Sequence, residues 1–400
     1  MVLHPRRRHK KVIGNISIGL GLVAFFSYLG PAFMHTIWSI YLEGILHNLA
    51  LVGYVSAAFY VIAILGYFFF TPVIEKNPET KIWIYAAFGA LAGYVMFYLT
   101  NGLLMLFLAG TLITFGIVLR TETYGILLRD SVKRKNLGKT EGLFYTFSNL
   151  AYLTGPLIAG FVSAKYGIKP VFLLSAFSII IALAIFKTLR LKDIKHNTRD
   201  DGGIKGSLKN LKQFFSRKQF VISYIVSGGI NLYWGVLFIY IPLFIIEAGL
   251  PYYWVGFFMF GVALPLVSFQ YKIGKFTDKH GYKKIIIIGY FILALFSLIA
   301  FFAPNIYWLI FMFFLASFGS ACIEGPTETH FFNIVKKSEE EKFYGPYNTC
   351  MDVFNMLGKF IAASVLLFLP QNFIFLALSI EMIVFALIGF KIKSKKELKR

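Results

Sequence analysis

The chain of 400 residues is 58% hydrophobic and only 15% charged, with a mean hydropathy of +0.69, whereas a soluble domain is roughly 45–50% apolar and 25% charged. That balance marks an all-α integral membrane protein and excludes a sizeable catalytic domain in water; no run alternates apolar and polar residues as a spanning β-barrel requires. A formal charge of +21, from 40 Lys and Arg against 19 Asp and Glu, would suit a nucleic-acid binder, but its distribution assigns it to the membrane surface.

At ~20 residues per crossing, the hydrophobic runs predict twelve spanning helices: 14–37, 48–72, 81–99, 102–124, 142–164, 170–189, 219–246, 253–271, 284–303, 306–328, 344–368 and 372–391. Lys165 and Lys169 fall in the opposite loops, and Arg120 and Lys359 lie within hydrophobic runs. The other 36 of the 40 basic residues fall on one side, in the two tails, in every second loop or at the span ends beside them. Both termini are therefore expected in the cytosol, with the chain multi-pass in the plasma membrane. Trp38, Tyr41, Tyr98, Tyr252, Tyr253, Trp254, Tyr307 and Trp308 gather near the other edge, where amphipathic rings favour the headgroups. The first run is too long for a cleaved signal peptide. Cys322 and Cys350 have no Cys or His at metal-ligand spacing and are expected as free thiols.

Polar and ionisable groups inside spans cost ~2.5–3.5 kcal/mol each at the centre, so each is a candidate functional group. In span one His35 and Trp38, and in span seven Asn231, Tyr233 and Trp234, are candidates for lining a cavity, with aromatic packing as the other reading. Arg120 and Glu122 in span four are two residues apart, about 200° around a helix, and so face different neighbours. In span five Ala151, Gly155 and Ala159 recur every fourth residue, a stripe for close helix contact. Pro156 removes one backbone hydrogen bond there, making Gly155, Pro156 and Gly160 a hinge. Glu324 and Glu328 in span ten share a face, with Pro326 loosening the backbone between them. All four charges of spans four and ten follow ~18–19 apolar residues, about the length that crosses the hydrocarbon core, so the headgroup zone is their alternative location. Asp352 lies deep in span eleven. Lys359, one heptad on, is expected to form a structural ion pair with Glu381 of span twelve. His330 is read as interfacial, and Glu43 and Glu247 as outer-loop charges.

The longest hydrophilic segment, 190–218, contains Asp200-Asp201-Gly202-Gly203, a flexible break. Beyond it Ile204, Leu208, Leu211, Phe214 and Phe215 recur at helical spacing among Lys205, Lys209, Lys212, Arg217 and Lys218. This describes an amphipathic helix on the anionic cytosolic leaflet or a plain basic linker. It divides the chain into an N-terminal six-helix bundle (1–189), the linker (190–218) and a C-terminal six-helix bundle (219–400). A recurring offset of 203 residues relates the halves: Glu75 to Asp278, Lys76 to Lys279, Lys81 to Lys284, Phe115-Gly116 to Phe318-Gly319, and Gly142, Thr146 and Gly155 to Gly345, Thr349 and Gly358. Each half returns to the side it started from, so the repeats are parallel and pseudo-symmetric.

The loop after span eight reads Gly274-Lys-Phe-Thr-Asp278-Lys279-His-Gly281-Tyr-Lys283-Lys284. Gly274 would let two helices approach closely, Gly281 would permit a tight turn, and Asp278 could accept hydrogen bonds from a helix N-terminus. With twelve spans, cytosolic tails and a mid-chain linker, this string resembles the signature loop of the major facilitator superfamily of two-bundle transporters. Its first-half counterpart, around Glu75, Lys76 and Lys81, keeps the acid and the bases but loses both glycines. Leu153-Thr-Gly155-Pro156 is similar to the Gly-Pro element of antiporters in that superfamily. The resemblance implies a central cavity lined by helices one, four, seven and ten, which holds Glu324, Glu328 and one of Arg120 or Glu122. It also implies alternating access, with the 8–9 loop and Glu75 and Lys76 as a cytosolic gate.

The expectation is a secondary transporter, and not an enzyme, that exports a small amphipathic or cationic solute against protons through Asp352, Glu324 and Glu328. Proton-driven uptake of a sugar or other metabolite is the alternative. A polytopic membrane enzyme and a transport-fold receptor are readings of other classes. No phosphate-cradling loop, H-E-x-x-H, paired CxxC or G-x-S-x-G is present, so no cofactor, metal or nucleic acid is expected. The expected partners are a small solute, protons and anionic lipid, with the chain a monomer.

Overall fold

Backbone groups in hydrocarbon have no water to bond, so apolar runs of this length satisfy themselves as helices. In a computed structural model, residues 5–99, 102–132, 137–191, 193 and 203–393 are described, and among them there are helices and turns but no strand. The helices are α1 (Pro5–Leu46), α2 (Leu49–Lys76), α3 (Glu79–Leu99), α4 (Leu103–Ser131), α5 (Leu137–Tyr166), α6 (Lys169–Leu189), α7 (Gly203–Phe215), α8 (Lys218–Glu247), α9 (Tyr253–His280), α10 (Tyr282–Phe301), α11 (Ile306–Ile334), α12 (Glu340–Phe368) and α13 (Phe373–Gly389). Eleven carry segments long and apolar enough to cross a membrane, and α13 is a shorter apolar helix. With α7 set aside, this is the twelve-helix plan. Shifting α4 by 203 residues gives 306–334, the bounds of α11, and shifting the start of α3 gives 282, the start of α10.

Local chemistry sets the ends. Asn48 caps α2 by accepting from Leu51 N at 3.0 Å, and Asn305 caps α11 by accepting from Trp308 N at 2.9 Å. Gly281, at φ +83°, turns α9 into α10 while its N–H donates to Thr277 O at 2.8 Å, a left-handed stop that a side chain would strain. Helices α1, α4 and α11 outrun the predicted spans, reaching Leu46, Ser131 and Ile334. Trp38 and Tyr41 therefore lie within α1 and not beyond its end: Trp38 donates to Ser56 Oγ at 3.0 Å, and Tyr41 is buried.

Packing divides the chain into two compact units, Met1–Ile37 with Leu65–Asp200, and Trp38–Ile64 with Asp201–Arg400. In the first, α3 packs against α4 and α6. The Trp83 ring stacks on Phe186 at 4.0 Å, and a Cβ on Gly116 would stand 2.8 Å from Ala86 O. The stripe of α5 faces α1, where a Cβ on Gly155 would stand 2.7 Å from the Ala32 Cβ. In the second unit α8 runs through the middle, against α9, α11, α12 and α13. There a Cβ on Gly319 would stand 2.7 Å from Gly289 O. Gly289 and Gly319 stand 203 residues beyond Ala86 and Gly116, so the duplicated halves repeat one close helix crossing.

Helix α7 belongs to the second unit. Its expected lipid face is partly taken by protein: Phe214 is fully buried among Phe220, Tyr224, Phe331, Phe343 and Tyr347, while Leu208 and Phe215 stay exposed. Arg217, just beyond it, grips Glu339 with two hydrogen bonds of 2.9 and 2.7 Å and covers the ring of Phe343 at 4.7 Å. Ile204 lies outside the residues whose side chains are described, as do Lys205 and the Asp200–Gly202 part of the break.

Candidate functional site

The second unit holds several charges within apolar helices and the first unit one buried charge, Arg120. In the second unit α11 carries Glu324 and α8 presents Trp234, whose Nε1 donates to Glu324 Oε1 at 2.9 Å. Trp234 is held flat against Phe238 at 5.1 Å, and Tyr233 beside it is buried with its hydroxyl unpartnered. A turn further along α11, Glu328 is exposed and accepts from the Tyr344 hydroxyl at 3.2 Å. The two glutamates share a helix but differ in setting: one is held by an indole in a half-buried place, the other lies at an open surface. Asn231 is half-buried and donates to Ser227 O at 3.0 Å.

Helix α12 adds a second group of charges. Asp352 is half-buried and makes no hydrogen bond among the described residues; it acts on Lys359 electrostatically without a contact ion pair. Lys359, 4% exposed, donates to Asn355 Oδ1 at 3.1 Å and sits over the Tyr60 ring at 4.1 Å, a cation–π contact. The expected Lys359–Glu381 ion pair is not formed, and Glu381 Oε1 is buried without a hydrogen-bond partner. Helix α2 approaches α12 here. A Cβ on Gly53 would stand 2.8 Å from the Ala363 Cβ, and Tyr54 and Ser364 hydroxyls bond at 2.9 Å. This contact brings the Tyr60 face to the ammonium. His330 is enclosed by protein: it is 1% exposed, with Nδ1 3.1 Å from Ser223 Oγ.

In the first unit Arg120 is 4% exposed. Its Nε donates to Gly116 O at 3.0 Å, and its Nη1 is buried without a partner. Glu122, two residues on, is exposed. Arg120 lines a cavity of about 90 Å³ together with Ser27, Tyr28, Trp83, Tyr124 and Tyr152. His35, on α1, lines it too and packs edge-on against Tyr152 at 6.4 Å. Trp38 is not among the residues that line this cavity.

Around Gly281, Lys279 lies in the last turn of α9, and Lys283 and Lys284 are the second and third residues of α10. The side chains of Asp278 and Glu75 lie outside the described residues, and Lys76 is exposed. Gly274 is not the expected point of close approach: it lies within α9, where among the described residues a Cβ would meet nothing within 4 Å. In α5, Gly155, Pro156 and Gly160 are buried. Both cysteines are free, and no cluster of potential metal ligands occurs among the described residues. Tyr60, Asn355, Ser27 and Tyr28 escaped the sequence reading. Only Asn355, four residues before Lys359 on one helix face, left a signal there; the others look like ordinary span residues.

The Major Facilitator Superfamily profile matches residues 20–271 and 255–400. An uncharacterized MFS-type transporter of Methanocaldococcus jannaschii is 29% identical over 166 residues, so the match spans 40% of this chain and 42% of that relative's length. Among solved structures, the nucleoside transporter NupG aligns with a TM-score of 0.76 at 13% identity, over 94% of this chain and 99% of its own. A POT family transporter in complex with 5-aminolevulinic acid gives 0.76 at 13%, over 96% of each chain. A bacterial homolog of the human lysosomal transporter Spinster gives 0.76 at 12%, over 95% and 96%. At these identities the structural likeness is one of fold.

Proposed function

The chain belongs to the Major Facilitator Superfamily, and from that premise we propose that it is a secondary active transporter that exports a small amphipathic organic solute in exchange for protons. Bundles 1–189 and 219–400, joined by 190–218, rock about a central site, with both termini in the cytosol and the protein in the plasma membrane. The observation that carries the reading is Glu324. Its carboxylate stands in an apolar helix with a single neutral donor, Trp234, at 2.9 Å and no contacting cation among the described residues. A carboxylate so placed takes a proton when one side wets it and gives the proton up when the other side does. Asp352 and Glu328 are the further proton candidates, and Gly155, Pro156 and Gly160 supply the bend in α5. The turn at Gly281 with Lys279, Lys283 and Lys284 latches the cytosolic side.

The test is proton flux in proteoliposomes with candidate solutes supplied on one side or the other. Export predicts that a solute gradient drives protons in the opposite direction; co-directional movement would establish uptake instead. Glu324→Gln keeps an acceptor for Trp234 and is expected to uncouple protons from solute. Undiminished coupling in that variant, and again with Asp352→Asn and Glu328→Gln, would discard the proton scheme.

A further inference from the structure

We propose that the cavity of the first unit is a subsite for the carboxylate of a small organic acid or zwitterion with an apolar or aromatic body, and that Arg120 is its recognising residue. The inference deepens the transport reading by naming the class of solute. A guanidinium does not shed its proton in a protein, so Arg120 is a permanent cation, and at 4% exposure it is nearly cut off from solvent. Buried charges are normally paired. Yet among the described residues no carboxylate forms an ion pair with it, and the phenols of Tyr28 and Tyr152 share the cavity with it. Nε is spent on Gly116 O, which leaves the Nη edge of the fork facing the cavity. There Nη1 and the Ser27 hydroxyl are both buried and unpartnered. The geometry is a cavity whose buried donors find no acceptor from the protein among the described residues.

The acceptor's character follows from the walls. One fixed positive charge calls for a single negative one, and a planar two-oxygen group matches the free edge of the guanidinium. A volume of about 90 Å³ is well above what one water needs and accommodates a carboxylate head and the first carbons behind it. Tyr28, Trp83, Tyr124 and Tyr152 supply ring surface for the adjoining apolar part.

The test uses the full chain, purified, with phenylacetate, phenylacetamide and phenethylamine as probes that differ only in the head group. Affinity is read from tryptophan fluorescence, since Trp83 lines the cavity. Phenylacetate is expected to bind saturably and to lose about thirty-fold or more in affinity when the carboxylate becomes the amide; this comparison needs no variant to fold. Arg120→Gln is expected to abolish the preference for the acid, and Arg120→Lys to restore it in part through its charge. Equal binding of acid and amide, no binding of phenylacetate, or an acid preference that survives Arg120→Gln would each overturn the proposal. Displacement of phenylacetate by short-chain phosphatidylglycerol at equal affinity would give the guanidinium to a lipid headgroup and overturn it as well. Flux of labelled phenylacetate in proteoliposomes separates the two levels. Arg120-dependent binding without flux spares the site and sinks the transport reading, whereas flux of phenethylamine that ignores Arg120 does the reverse.

Discussion

Glu324 and Glu328 stand one helical turn apart and present two different carboxylates. The indole at 2.9 Å fixes the first, so Trp234→Phe is expected to leave the protein folded but to weaken coupled flux as Glu324→Gln does; normal coupling in the phenylalanine variant would remove Trp234 from the scheme. Lys359 shows what a sequence hides. Its depth and charge were legible, but its partner was assigned by charge alone, and Glu381 is not that partner. An ammonium in a helix is also satisfied by an amide four residues earlier and by an aromatic face, here Asn355 and Tyr60. The face of a tyrosine some 300 positions away leaves no mark in the chain. Tyr60→Leu should therefore cost about 0.5–2 kcal/mol in thermal unfolding in detergent, and Glu381→Gln little, since no contact is lost.

The crossings at Gly116 and Gly319 were legible only as an identity repeated at the 203-residue offset, whereas the Ala151, Gly155 and Ala159 stripe announced the contact of α5 directly. Gly116 and Gly319, matched at the offset of 203, each leave no room for a methyl: Ala86 O lies 2.8 Å and Gly289 O 2.7 Å from where it would stand. Gly116→Ala and Gly319→Ala are expected to destabilise by about 1–3 kcal/mol each. Gly274→Ala, with nothing within 4 Å, should leave the melting temperature unmoved. The contrast separates crowding from a general glycine effect. The signature loop made Gly274 look like the crowded one because a motif records residue types and not what stands opposite them. Helix α7 was legible as an amphipathic helix, though not in its docking, because Phe214 is as suited to lipid as to a protein pocket.

The clamp beside α7 responds to acid. Hydrogen bonds from Arg217 hold the Glu339 carboxyl below the usual carboxylate range, and the same bonds raise the guanidinium. A carboxyl whose folded pKa is lowered contributes stability above the ordinary value of about 4.3 and loses it as pH falls through the lower folded value. The pair is partly exposed, at 42% and 23%, which limits its worth to about 1 kcal/mol. Hydrogen exchange of the α7 amides should quicken as pH drops below that range, after correction for intrinsic rates, and Glu339→Gln should remove this pH dependence.

At the scale of the whole molecule, twelve spanning helices and a twofold internal repeat were legible because hydropathy and the 203-residue offset are properties of the chain alone. The grouping of Trp38–Ile64 with the later helices was not, since it depends on contacts such as Gly53 against Ala363. Membrane sidedness rests on the distribution of Lys and Arg. Single cysteines near each end, in a variant lacking Cys322 and Cys350, are expected to react with an impermeant maleimide only after the cells are opened. Labelling of one end in intact cells would reverse the assignment for that end.

The ring of Phe214 acts as a stopper pressed into the second unit, and this decides where the polypeptide tolerates surgery. A fluorescent reporter spliced in ahead of Gly203 leaves the stopper seated, whereas the same graft between Leu211 and Phe220 pulls it out and opens an aromatic socket to water. A biosensor built on this chain therefore belongs on the upstream side of that helix.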